Sequence, residues 1–178
     1  MSRGFVKEDD SQAPPIIPPR AALPPNTPNY VTPRGLEQLR AELAALEATR
    51  SQAEADRAND TDRTRQLSLL NGQLSQLAAR IASARVVDPR QQPAEEVRFG
   101  ATVTLRPVGG AKPGGKAVPE RRFTIVGVDE AAVAEGRVAF VAPIARAVLG
   151  ARLGQTVALR LGPQPETVEV VRISYEGD

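Results

Sequence analysis

The sequence predicts an α+β protein of two domains: an antiparallel α-helical coiled-coil hairpin, then a mainly antiparallel β-sheet domain with one short helix. Three observations carry this. Leucines fall at Leu36, Leu39, Leu43 and Leu46, and again at Leu67, Leu70, Leu74 and Leu77 with Ile81. Both sets step by three and four, the a/d spacing of a coiled coil. The sets mirror each other, pairing Leu36 with Ile81, Leu39 with Leu77, Leu43 with Leu74 and Leu46 with Leu70 about a midpoint near residue 58. From Val97 onward the period changes to two and β-branched residues dominate, as half-buried strands require.

Residues 1–29 read as a proline-rich flexible tail. Seven prolines lie between Pro14 and Pro28, a composition that favours polyproline II and forbids helix. Ile16 and Ile17 leave a second reading open, an arm packed along the hairpin. The hairpin is expected over 30–89. Thr32 is the expected N-cap and Pro33 the first helical residue, with the helix running to about Arg57. The segment Ala58-Asn59-Asp60-Thr61-Asp62, rich in turn and cap residues, is the expected fold-back. The second helix is expected from about Asp62 to about Arg85, with Pro89 and Pro93 as stops. It carries no charge from Gln66 to Ala79, which is unusual for a solvated helix. Gly72 keeps the leucines in phase, so it reads as helical at a cost of about 1 kcal/mol relative to alanine. It either admits another backbone closely or is merely tolerated.

The third segment, 90–178, has candidate strands at 97–107, 121–130, 136–142, 155–161 and 166–175. A Gly/Pro/Lys loop at 108–119 reads as mobile. The stretch PIARAVLG reads as a short helix opened by Pro143 and closed by Gly150.

Composition excludes several function classes. The 178 residues contain no Cys and no His, which removes disulfides, thiol nucleophiles, imidazole bases and the usual zinc sites. Any metal must be a hard cation held by carboxylates, such as Mg²⁺. A net charge of +2 gives no strong reason to expect direct nucleic-acid binding. No apolar run is long enough to span a membrane, and the first residues lack a signal-peptide core, so a cytoplasmic location is expected.

Two sets of residues stand out at the far end of the hairpin. Asp60 and Asp62 lie two apart in the fold-back, where carboxylates in a turn can point to one side and share Mg²⁺. They serve equally as cap residues for the second helix. Arg50, Arg57, Arg63 and Arg65 form either a solvated face or a surface for RNA.

Five stretches in order, NYVTPRGLEQLRAEL (29–43), ARVVDP (84–89), VRFGATVTL (97–105), FTIVGVDEA (123–131) and APIARAVLGARLGQTV (142–157), resemble the Gre-type transcription factors, GreA and GreB. The resemblance spans nearly all of 29–175. It implies a coiled coil joined to an FKBP-like domain, in a monomer that acts on bacterial RNA polymerase. In such factors the globular domain docks at the rim of the secondary channel, which points to Val141, Pro143, Ile144 and Arg146. The coiled coil enters the channel, and tip acids (here Asp60 and Asp62) help hold a catalytic Mg²⁺ shared with the polymerase, which then cleaves backtracked RNA near its 3′ end. The factor is thus no enzyme itself. Arg57, Arg63 and Arg65 become candidates for RNA or channel contact.

The chain departs from the family's pattern at three places. The family tip usually follows its Asp with Glu three residues later; here that position is Arg63. Each arm of the hairpin is about one heptad shorter, about 10 Å less reach. An acidic residue expected two before Pro143 is Val141. Two other functions therefore stay open: a channel-binding regulator without cleavage activity and, more remotely, an FKBP-like prolyl isomerase. The second is disfavoured by an aromatic content of 3%, with Phe99, Phe123, Phe140 and Tyr175 expected in the core.

Overall fold

The first helix begins where the sequence provides a cap. In the computed structural model, which describes residues 13–58, 60–109 and 119–175, the side chain of Thr32 accepts the Gly35 N–H at 2.9 Å. Pro33 then opens α1 (Pro33–Ala55). The chain folds back and α2 (Asp60–Ala82) returns along it. Each helix has 23 residues, roughly 35 Å at 1.5 Å per residue. The seam forms on the mirrored leucines. Leu39 and Leu77 are fully buried, Leu70 and Leu74 are buried, and Leu36, Leu43, Leu46 and Ile81 pack beside them.

The second helix differs from expectation at both ends. It starts at Asp60, because Asp60 and Asp62 suit the positive end of a helix dipole and enter its first turn. It stops at Ala82, short of Arg85, because Ala84–Val86 becomes a strand, β2. That strand pairs in parallel with β1 (Asn29–Val31), and Val87 donates to the Val31 carbonyl. Asn29 Nδ2 donates to the Arg80 carbonyl and to Ser83 Oγ. The open end of the hairpin is thus closed by a two-stranded clasp.

The second domain is a five-stranded sheet of β3 (Thr102–Pro107), β4 (Arg121–Val126), β5 (Arg137–Ala139), β6 (Thr156–Leu159) and β7 (Glu166–Ser174), in spatial order β5-β4-β3-β7-β6. Three pairings are antiparallel, as expected, but β4 and β5 run parallel, so the sheet is mixed. The reason lies between them. After Val126 the chain leaves the sheet at Gly127, makes a corner at Val128–Glu130, passes a 3-10 turn at Val133–Glu135 and re-enters at the same end. The expected strands 121–130 and 136–142 are shortened accordingly. β3 starts five residues late because Gly100 adopts φ +88° and turns the chain. Before it, Val97 N–H and C=O pair with Ala151 and Gly150 instead of a strand. The helix α3 (Pro143–Val148) packs beside β6. The Gly/Pro/Lys loop falls largely outside the described residues.

Val97, Ala101, Val103, Leu105, Ile125, Val148, Leu159, Val168 and Val170 form a dry core. Phe99 and Phe140 are buried too, with the Tyr30 ring tilted against Phe99 and edge-on to Phe140 at centroid distances of 5.8 and 5.6 Å. Tyr30 precedes the hairpin, so this aromatic trio is the first fastening between the domains. Gly127 permits it: a Cβ there would meet the Tyr30 carbonyl oxygen at 2.7 Å.

Candidate functional site

At the far end of the hairpin, Arg63 bridges the two helices. Asp56 caps α1, its Oδ1 accepting the Ala58 N–H at 2.9 Å. Arg63, one turn into α2, places Nη2 2.6 Å from Asp60 Oδ1 and donates from Nη1 to the Asp56 carbonyl at 3.1 Å. It thereby ties the end of α1 to the start of α2. Asp60 remains 82% exposed despite this pair. Asp62, Arg57 and Arg65 are exposed nearby. The shared side expected for Asp60 and Asp62 does not form. Both are helical, and positions two apart project about 200° from one another. Position 63 is the true neighbour of Asp60, and it is basic. Arg50 is half-buried lower on the rod, 3.5 Å from Glu54.

The donors at the tip decide which metal it can hold. Carboxylate oxygens suit Mg²⁺ in kind. They do not suffice in number: no group of three or more His, Cys, Asp or Glu side chains able to hold a metal exists among the described residues. Asp60, with Asp62 beyond it, can lend a ligand to a shell built mainly by another protein.

In the sheet domain, α3 presents the second candidate surface. Pro143 and Arg146 are exposed. Val141 and Ile144 are half-buried and lean on the core, which Ala145 and Val148 enter fully. One face of this helix is therefore structural, leaving Pro143 and Arg146 with the outer edges of Val141 and Ile144 as its surface.

The corner between β4 and β5 is a site that sequence reasoning missed. Glu130 is 6% exposed and accepts a hydrogen bond from Thr32 Oγ1 at 2.6 Å, the same hydroxyl that caps α1. Its neighbour Asp129 accepts from Arg20 Nε and Nη2 at 3.1 and 2.9 Å. Arg80 of α2 lies 3.4 Å from the other Asp129 oxygen. Arg20 also forms a two-pronged pair with Glu42 of α1, at 2.7 and 2.9 Å. Two consecutive acids thus grip both helices and the N-terminal segment. The only hint in the sequence was the VDE run, whose partners lie far away in the chain.

The hydrogen bond from Arg20 holds the Glu42 carboxyl below its usual pKa, with burial opposing. The groups facing it are Arg20, with Asp129 and Arg80 behind. A depressed carboxylate stabilises the fold above its unfolded value and loses that effect as pH falls through the folded one. The Glu42 contribution should therefore be complete above about pH 4.3, the ordinary glutamate value, and fade below it. An NMR titration of Glu42 should show a midpoint below that value. In Arg20→Ala the midpoint should return to it; an unchanged midpoint would mean that Arg20 is not the cause.

The isomerase alternative finds no aromatic-walled pocket among the described residues. Phe99, Phe123 and Phe140 are buried. A cavity of about 280 Å³ between the hairpin base and the sheet is lined instead by polar and charged groups, including Thr32, Arg90, Thr102, Thr124, Glu130 and Arg137. No helix among the described residues is long and apolar enough to cross a membrane.

Comparison with known proteins places these features. The family model for the C-terminal part of the GreA/GreB transcription elongation factors matches residues 92–175. The chain is 30% identical over 164 residues to transcription elongation factor GreB of Neisseria meningitidis, covering 84% of this chain and 95% of that one. It is 28% identical over 160 residues to GreA of Thermodesulfovibrio yellowstonii, covering 82% and 96%. Among solved structures, a GreA/GreB elongation factor from Nitrosomonas europaea aligns over 82% of this chain and 98% of its own at 21% identity, with a TM-score of 0.39. The 30% identity to a GreB over 84% of the chain, with the match of its C-terminal part to the GreA/GreB model, shows that the chain belongs to the GreA/GreB family of transcription elongation factors.

Proposed function

We propose that this chain binds RNA polymerase through its C-terminal domain, with α3 at the rim of the secondary channel. The hairpin then lies in the channel, and Asp60 aids Mg²⁺-dependent cleavage of backtracked RNA. One observation carries the reading: a rod of two 23-residue helices holds Asp60, 82% exposed, at its end remote from the sheet. The carboxylate sits in the first turn of α2, at the positive end of the helix dipole. It can move toward a cation by giving up Arg63. The metal, supplied with the polymerase, would polarise the scissile phosphate and activate water. The chain's own residues position the acid: Arg63 and Asp56 tie the two helices at the turn, and the leucine seam joins them toward the base.

A second reading, a channel-bound regulator without cleavage activity, is favoured by the Arg63–Asp60 pair itself, which occupies the acid. Adding the chain to a reconstituted backtracked complex of its cognate polymerase separates the two. Faster transcript shortening supports cleavage. Binding without shortening supports the regulator. Failure to bind sinks both.

A further inference from the structure

The N-terminal segment is seated by every third residue. Ile17, Arg20 and Leu23 are half-buried, while Pro18, Pro19, Ala21 and Ala22 between them are exposed. Three residues are one turn of polyproline II, so these side chains share a face. Leu23 packs at the margin of the sheet-domain core. Arg20 bridges Glu42 on α1 and Asp129 on the β4–β5 corner. Arg80 of α2 donates to the Ala21 carbonyl at 2.5 Å. Ile17 reaches Gly72, where a Cβ would stand 2.0 Å from its Cδ1. Farther out, Ala13, Pro14 and Pro15 flank a groove with Asp60, Thr61, Thr64, Arg65 and Ser68 of α2.

Two peculiarities of the sequence then have one cause. The uncharged run from Gln66 to Ala79 is the track beneath the segment, where a charge would be partly desolvated. Gly72 is a seat for Ile17, and its helix-propensity cost of about 1 kcal/mol is offset by that packing.

We propose that residues 13–23 are a strap that fixes the angle between the hairpin and the sheet domain, with the Arg20–Glu42–Asp129 pairs as its buckle and Gly72 as its outer seat. The strap makes the rod three elements thick along α2, and releasing it lets the hairpin swing on the Tyr30 and Thr32 fastenings. This stands whether or not polymerase is the partner.

The test uses the full chain and exploits its lack of cysteine. Cysteines at two exposed positions, Ser51→Cys on α1 and Thr156→Cys on β6, carry spin labels for pulsed dipolar distance measurement. The wild-type background should give one narrow distance. Gly72→Gln removes the seat while substituting a better helix former, so the helices stay folded, which circular dichroism checks. It should broaden the distance distribution, as should Arg20→Ala. Trypsin should cut after Arg20, which is 19% exposed in its side chain, at least about tenfold faster in Gly72→Gln, because local release is required for cleavage. Faster cutting with an unchanged distance would overturn the proposal, since the segment would then lie on the hairpin without orienting it. An unchanged cutting rate would overturn it as well, because Gly72 would not be a seat.

Discussion

Asp60→Ala should reduce transcript cleavage to the level of the polymerase alone while leaving binding intact, and Arg63→Glu should raise it by about tenfold. The two results rest on one geometry. Arg63 is three residues from Asp60, so the two side chains project about 60° apart on the helix surface and meet at 2.6 Å. Arg63 is also the position where the family pattern places Glu. Arg63→Glu removes the cation that competes with metal for Asp60. It also adds a second hard ligand on the face that Asp62 does not share. A tenfold gain corresponds to about 1.4 kcal/mol of barrier, modest for a metal ligand at a phosphoryl-transfer site. The change costs the hydrogen bond from Arg63 to the Asp56 carbonyl, so the fold-back loosens somewhat. Arg63→Ala separates the effects, since it frees Asp60 without adding a ligand. If Arg63→Glu and Arg63→Ala both leave cleavage unchanged, the ion pair does not hold the acid back. If Asp60→Ala cleaves as well as wild type, the tip acid has no part in the chemistry.

The hairpin was legible because everything that defines it is local. The Thr32-Pro33 cap lies within one turn, and the leucine steps fix both the face and the register. The acids at the fold-back were legible as residues but not as geometry. A turn was expected to align Asp60 with Asp62; the helix begins at Asp60 and sets them apart. The clasp of β1 with β2 carried no signal of its own. Three residues at each end of a helical hairpin pair only because the hairpin has already brought them together. The same holds for the Asp129–Glu130 corner, whose partners Arg20 and Thr32 are 109 and 98 residues away. Gly72 lay between these cases. Its departure from helix propensity and the uncharged run around it left close approach and simple tolerance both open, and only the fold places Ile17 against it.

Leu77→Ala should be among the most destabilising single substitutions in the hairpin, by about 2–5 kcal/mol, against a total stability of about 5–15 kcal/mol for a protein of this kind. Leu77 is 0% exposed and packs with Leu39 and Val31 at the base. Val31 belongs to β1 and adjoins Thr32, whose hydroxyl caps α1 and donates to Glu130. A cavity at Leu77 therefore undermines the seam, the clasp and the interdomain joint together. Leu46→Ala, half-buried farther along the rod, should lose less than half as much, because its site already opens toward solvent. In urea the Leu77 variant's midpoint should fall by about 1–3 M, using slopes usual for small proteins. The form of the transition decides a further point. The fastenings that cross between hairpin and sheet include the Tyr30–Phe99–Phe140 trio, Thr32 with Glu130, and Asp129 with Arg20 and Arg80. They should make the protein unfold as one unit, so helical and sheet signals should shift together in Leu77→Ala and also in Leu105→Ala of the sheet core. Separate transitions in either variant would mean that the joint is too weak to couple the domains, and that the hairpin's orientation is set by something other than these contacts.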